Sequence, residues 1–335
     1  MNKHIARCLS LLLLTAGASN AAEPVSAGLS GADHHMHIRS ADAVAAWDAV
    51  CEKLPPACPE GMRVAPVTTA DDALRALDRA GLEKGALLSL GYFYGMPELA
   101  GTPFDSAERA RAENRYVADQ VKPRRDRLAG FFSVNPLADY ALDEVEYWAQ
   151  SGELTGLKLH FANSGVDLRD PEQLARLRAL FEVLDAHAMP AIVHLRNRDP
   201  DYGYEDAANF IEQVASQAPH VPLYIAHLAG WGGFDPATDA ALQAFLDAFQ
   251  RGVLDRERVW FDIAAIVHPS ILATGLEAVP ARLRQIGLDH VLFATDWDRP
   301  VDADRIAEYR AAVPLTDAEW SQVLSNQAPY FNRSP

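Results

Sequence analysis

The 335-residue sequence is poor in cysteine, with three, and poor in positive charge, with 30 Lys and Arg against 46 Asp and Glu for a formal net charge of −16. So few cysteines exclude a disulfide-dense small scaffold. The acidic excess excludes nucleic acid as an expected partner, because a surface of that sign repels phosphate backbones and anionic headgroups. Beyond one short N-terminal stretch, no apolar run approaches the roughly 20 residues a membrane span needs, so a membrane is not an expected partner either. A G-x-G-x-x-G turn, internal repeats and low-complexity tracts are also missing. What is present is an ordinary globular composition, 49% hydrophobic and 23% charged, with ample material for a core.

Lys3 and Arg7, the apolar run Leu9 to Leu14, and Ser19-Asn20-Ala21-Ala22 have the order of a secretory signal. This predicts cleavage after Ala21 or Ala22 and a periplasmic or secreted product, the rival being a membrane anchor or a buried N-terminal helix. Cys8 would leave with the signal. Cys51 and Cys58 stand close together in a Pro-containing stretch and read as a local disulfide in an oxidising compartment, the rival being two free or metal-binding thiols. Residues 23–335 contain no obvious linker and read as one domain.

Short apolar runs alternate with amphipathic stretches of helical period, the pattern of βαβ units around a parallel sheet. Strands are expected at Ala32–Ile38, Gly85–Leu90, Ala129–Val134, Gly156–His160, Ala191–Leu195, Leu223–His227, Val259–Ala264 and Val291–Asp296. Thr69-Ala-Asp-Asp72, Asp170-Pro171 and Asp235-Pro236 read as helix starts, and Gly81 as a stop. The fold class is therefore α/β, a (β/α)8 TIM barrel, with an open doubly wound sheet as the alternative. An irregular insertion, Arg39 to Thr68, is expected after strand one, and a terminal helix is expected from Thr316-Asp-Ala-Glu319.

In such a barrel, catalytic groups come from the C-terminal ends of strands. His34, His35, His37, His160, His194 and His227 fall there, whereas His187, His220 and His290 precede strands and read as structural. Strand alternation turns His35 and His37 to one face and His34 and Met36 to the other. His194, His227 and Asp296 each end an apolar strand. Burying that many polar groups at one mouth is costly without a cation, so a divalent metal is expected: Zn2+ first, with Mn2+, Fe2+ or Co2+ also compatible with imidazoles and a carboxylate.

Asp33-His-His35-Met-His37, Val193-His194, Ala226-His227-Leu-Ala-Gly230 and Thr295-Asp296 together resemble the amidohydrolase superfamily. Within it they resemble the amidohydrolase-related branch, which includes lactonases and metal-dependent decarboxylases similar to aminocarboxymuconate semialdehyde decarboxylase. The resemblance runs from residue 32 to about 328 and departs after Asp296, where Trp-Asp-Arg-Pro follows. It implies that His35, His37, His194 and Asp296 hold the metal, with His227 and Asp296 as catalytic groups. One ion is expected; a carbamylated Lys158 would instead bridge two. Otherwise Lys158 is read as touching a substrate anion, with His160, Arg196 and Arg299 as further substrate contacts; Phe161, Trp231 and Trp297 are candidate walls of the mouth, and His268 is left open. The expected function is an exported hydrolase of a small-molecule ester, lactone or amide using metal-activated water. The alternative is a metal-dependent non-oxidative decarboxylase, and the third reading a ligand-binding barrel without turnover. An oligomer is compatible with the sequence and not fixed by it.

Overall fold

The computed structural model describes residues 31–53, 66–267, 275–297 and 303–332. Eight parallel strands follow one another around the sheet in chain order: β1 (Ala32–His37), β2 (Lys84–Leu88), β3 (Leu128–Ser133), β4 (Gly156–His160), β5 (Ala191–His194), β6 (Leu223–Ile225), β7 (Val259–Asp262) and β8 (Val291–Leu292). The ring is closed where His34 N–H donates to Phe293 O at 3.1 Å and Trp297 N–H donates to His35 O at 3.2 Å. This is the (β/α)8 barrel. The expected signal segment and Cys58 lie outside the described residues, as do Arg299 and His268.

Eleven α-helices are described among these residues: α1 (Ala41–Lys53), α2 (Ala70–Ala80), α3 (Ala107–Val121), α4 (Ala141–Ser151), α5 (Phe161–Ser164), α6 (Pro171–Ala186), α7 (Tyr204–Gln213), α8 (Pro236–Gln250), α9 (Val279–Ile286), α10 (Ala303–Ala312) and α11 (Asp317–Ser325). The helix punctuation acts as its chemistry requires. Thr69 and Asp72 form a reciprocal capping box, Gly81 ends α2 at φ 68°, and Asp170 and Asp235 cap helices whose first residue is Pro. Thr316 and Glu319 cap α11 in the same reciprocal way.

The barrel interior is filled from alternate strand positions, Ala86, Leu88, Ala129, Phe131, Ile192, Tyr224 and Leu292, and is sealed at its base by Ala328 and Tyr330. A much larger cluster, including Leu87, Phe132, Leu157, Leu159, Val193 and Phe261, packs the outer strand faces against the helices. Gly156 allows this convergence, since a Cβ there would stand 2.3 Å from Pro190 O and 2.7 Å from the Phe131 ring.

Three expectations are corrected. The insertion after β1 is not wholly irregular: α1 occupies its first half, burying Ala43, Ala46, Trp47, Val50 and Cys51 at helical spacing. Its ends are joined by the antiparallel Arg39–Thr68 bridge. Second, strict alternation fails in β1, because the register slips between Asp33 and Met36. That bulge lets Met36 pack in the outer cluster while His34 meets Tyr330 and Phe331, with ring centroids 6.1 and 5.6 Å away. Third, β6 and β8 stop at Ile225 and Leu292, short of His227 and Asp296.

His34 is thereby structural. Its Nδ1–H donates to Phe293 O at 2.8 Å, and its Nε2 accepts the Ala328 N–H at 3.2 Å, binding the C-terminal segment to the barrel. Asn326 reinforces this by donating its side-chain amide to Leu288 O and Val291 O, both at 2.7 Å. Replacing Asn326 with Ala leaves both carbonyls without that donor and is expected to cost about 2 kcal/mol, read as a lower urea midpoint with an unchanged slope.

Candidate metal centre and active site

Each strand end delivers its polar group to the same mouth. His35 and His37 come from β1, Lys158 and His160 from β4, His194 from β5, His227 from the turn after β6, Asp262 from β7 and Asp296 from the segment after β8. All except His160 and Asp296 are buried. The polarity of the imidazoles is fixed by what their Nδ1 atoms touch. His35 Nδ1 lies 2.9 Å from Asp262 Oδ2, His37 Nδ1 lies 3.1 Å from Leu88 O, and His227 Nδ1 lies 2.8 Å from Ala264 O. Carbonyl and carboxylate oxygens only accept, so all three rings carry hydrogen on Nδ1 and turn Nε2 lone pairs to the mouth.

Those lone pairs converge on Asp296. Its Oδ1 is 3.4 Å from His35 Nε2 and 3.3 Å from His37 Nε2, and ligand atoms of His35, His227 and Asp296 lie within 4.8 Å of one another. His194 adjoins His227 with centroids 4.9 Å apart, and its buried Nε2 has no hydrogen-bond partner. An orphaned imidazole nitrogen, and a carboxylate turned towards imidazole lone pairs, are polar groups that this mouth leaves without a partner of the protein's own. The set fits a divalent cation, with His35, His37, His194 and Asp296 as the residues that would hold it. Among the described residues it is His227, and not His37 or His194, whose ligand atom lies within 4.8 Å of those of both His35 and Asp296, so distance does not assign it a role apart from the ligands.

Burial lowers the pKa of His35 to about 3 and that of His194 well below the ordinary imidazole range, which keeps both rings neutral. Burial opposes charge on Asp262 as well, but the His35 ring and the hydrogen bonds it accepts from His35 and the His227 backbone hold its carboxyl at about 2, below the usual range. Lys158 is fully buried with Nζ 3.1 Å from His35 Nε2, and burial lowers it to about 8.

The backbone is unusual where the catalytic candidates sit. His227, Leu228 and Ala229 have φ of 55°, 53° and 68°, and Asp296 has φ 55°. Left-handed conformations cost non-glycine residues roughly 1–2 kcal/mol each, so something must hold them. Asp262 does so for the first: its Oδ1 accepts the His227 N–H at 2.8 Å and the Ala264 N–H at 3.0 Å, while Oδ2 takes His35. Asp33 has the matching task at the barrel seam, accepting from Thr295 N–H, Thr295 Oγ–H and His35 N–H. Burial raises its carboxyl to about 7 against those bonds. Sequence reasoning missed Asp262 as a site residue, because its facing within the short strand β7 is set by register; in the structure Trp260, two positions earlier, stacks on interior Tyr224.

The remaining candidates divide. His160 is at the mouth, stacked on His194 at 3.9 Å and 13°. Trp231 stands edge-on to both rings, at 6.3 Å from His160 and 5.5 Å from His194. Arg196 is turned aside, donating to Asp235 Oδ2 at 2.8 Å over the Tyr202 ring, and Arg198 pairs with Glu98. Phe161 does not line the mouth; it is fully buried in the outer cluster against Phe210. Trp297 is also packed in that cluster, 4% exposed. His187 caps the end of α6, His220 pairs with Asp185 and His290 donates to Val259 O, all before strands.

Two outcomes follow from this geometry. Asp262→Asn removes the charge that fixes the His35 tautomer, and divalent-metal affinity is expected to fall about 10–100-fold in a chelator-competition titration. Lys158 binds its proton more weakly folded than unfolded, so its buried ammonium destabilises the metal-free protein below about pH 8. That penalty fades as pH rises towards the unfolded value of about 10.4. Lys158→Met is therefore expected to stabilise the metal-free protein by on the order of 3 kcal/mol at pH 7, with the gain shrinking above pH 9 in urea titrations.

No curated protein matches the sequence. Among solved structures, the chain is similar to 5-carboxyvanillate decarboxylase from Sphingomonas paucimobilis, with TM-score 0.62, 16% identity, 89% of this chain and 97% of that one covered. It is also similar to a dihydroxybenzoic acid decarboxylase from Polaromonas sp. JS666 with bound manganese and the inhibitor 2-nitroresorcinol, with TM-score 0.58, 17% identity, 91% and 98% covered. A third likeness is to a probable 2-pyrone-4,6-dicarboxylic acid hydrolase from Acinetobacter baumannii with citric acid bound, with TM-score 0.55, 17% identity, 88% and 96% covered. At these identities the likeness is one of fold. The amidohydrolase family model matches residues 32–326, most of the chain and every strand of the barrel, and the protein belongs to the amidohydrolase family.

Proposed function

We propose that this enzyme is a metal-dependent non-oxidative decarboxylase acting on a small carboxylic acid. The observation that carries the reading is a buried lysine, Lys158, set 3.1 Å from His35 in the donor set, within a fold similar to that of two carboxy-lyases. A divalent ion held by His35, His37, His194 and Asp296 supplies positive charge against substrate oxygens. Neutral imidazoles with one carboxylate suit Zn2+, and manganese in the Polaromonas enzyme makes Mn2+ the other candidate.

The residues of this chain then do the following. Lys158 provides a second cation near the metal ligands and draws the substrate anion towards them. His227 handles the proton: its Nδ1–H is committed to Ala264 O, so Nε2 is the atom that takes up a proton and gives it to substrate carbon. A carboxylate plus that proton becomes a carbon–hydrogen bond and carbon dioxide, which balances without an oxidant. Asp262 positions His227 through its backbone N–H.

A second reading, hydrolysis of a lactone, ester or amide, is supported by the likeness to the pyrone-dicarboxylic acid hydrolase. The same assay separates the two. Protein reconstituted with Mn2+ or Zn2+ is expected to release carbon dioxide from aromatic acids, and His227→Ala to lower kcat at least 100-fold, in line with loss of a general acid. Hydrolysis of lactones without carbon dioxide release would replace the decarboxylase reading with the hydrolase one.

The proposal extends to the rest of the chain. Residues 1–22 act as an export signal, residues 23–335 form one catalytic domain, and Cys51 pairs with Cys58 in the periplasm or outside the cell. What supports this is the charge, apolar and small-residue order of the first segment and the close spacing of the cysteines. No helix among the described residues is long and apolar enough to cross a membrane.

A further inference from the structure

His160 differs from its neighbours in polarity. Its Nδ1 accepts the Asn163 N–H at 3.2 Å and so caps α5, the short helix that follows β4. A neutral imidazole that accepts at Nδ1 carries its hydrogen on Nε2. Among the mouth imidazoles whose Nδ1 has a hydrogen bond, His35, His37 and His227 donate there and His160 alone accepts. Three rings therefore offer lone pairs, and one offers an N–H.

An N–H cannot ligate a metal, and turning the ring over to free a lone pair would break the α5 cap. The ring is further held by His194, parallel to it at 3.9 Å, and by Tyr92 at 5.1 Å. It is only partly buried, unlike His35 and His194. It is thus a fixed donor beside the metal-ligand set, at the open side of the mouth. Trp231, 38% exposed and edge-on to both stacked rings, stands beside it.

We infer that His160 is a specificity-determining residue whose Nε2–H donates to an acceptor oxygen of the substrate, an oxygen held beside the metal and against Trp231. This rests on the reading of the mouth as the substrate site of a carboxylic-acid enzyme, and it adds a directional requirement. The substrate atom facing β4 must be an acceptor, a carboxylate, carbonyl or phenolate oxygen, and an ammonium or amide N–H placed there is rejected. A planar ligand gains further from the indole of Trp231.

The two functions of the ring can be separated by substitution. In His160→Asn the side-chain oxygen stands near the position of Nδ1 and caps α5, since Asn is a favoured N-cap, while the donor at Nε2 is deleted. In His160→Gln the amide nitrogen reaches the position of Nε2 and restores the donor. Benzoate is the probe, titrated by calorimetry into protein loaded with Mn2+, with metal content and melting temperature measured in parallel. A hydrogen bond to a charged acceptor is worth about 1.5–3 kcal/mol, or roughly 10–150-fold. His160→Asn is expected to bind benzoate at least about tenfold more weakly at unchanged metal content, and His160→Gln to stay within about threefold of the parent. Benzoate affinity unchanged in His160→Asn, or equally lost in both variants, overturns the inference, as does a parent protein that does not bind benzoate. The expected pattern without carbon dioxide release from any acid would overturn the decarboxylase reading and leave the donor role of His160 standing.

Discussion

The buried carboxylate of Asp262 is the contact on which the mouth depends. It reaches from β7 to His35 on β1 and to the His227 and Ala264 backbone amides, so three segments of the barrel wall are fixed by two oxygens. A buried carboxylate without such partners would be driven to protonate. With them it stays charged, orders the His35 tautomer and holds His227 in a left-handed conformation that its own side chain disfavours. Asp33 repeats the arrangement at the seam between β1 and the segment after β8. The consequence is a set of lone pairs whose tautomers and orientations are fixed by their outer partners.

Charge at the mouth is arranged in opposition. Lys158 on β4 and Asp296 in the segment after β8 face the same ring, His35, the first by a 3.1 Å contact and the second by one of 3.4 Å. A cation bound among the imidazoles would be drawn to Asp296 and repelled by a protonated Lys158. The barrel thus holds a lysine that costs stability where a methionine would not, a pattern expected at a functional site rather than in a core selected for packing alone.

Much of this was legible in the residues. Apolar runs ending in His or Asp gave the strands and their mouth-facing ends, because a parallel barrel strand is buried on both faces and changes character only where it meets the site. The illegible parts have particular causes. The β1 bulge depends on hydrogen bonds from His34 and Trp297 across the seam, which no local pattern encodes. The early ends of β6 and β8 follow from left-handed residues that Asp262 and Asp33 stabilise from other strands. The helix α1 was hidden by its position after a site motif, although its Ala and Trp spacing is helical. Arg196 looked free for substrate because its partner, Asp235, is 39 residues away. Asp262 itself was ambiguous, since facing in a short buried strand is set by register and not by composition.

The proposed chemistry requires a single divalent-metal centre at the convergent imidazoles and Asp296. Elemental analysis of the protein purified without chelator, alongside His35→Ala and Asp296→Ala variants of equal melting behaviour, tests it most directly. Close to one equivalent of Zn2+ or Mn2+ is expected in the parent protein, with strong loss in both variants. Two equivalents, or full metal content in either variant, would contradict the ligand set. A parent protein that takes up no metal from excess Zn2+ and Mn2+ would contradict the centre itself.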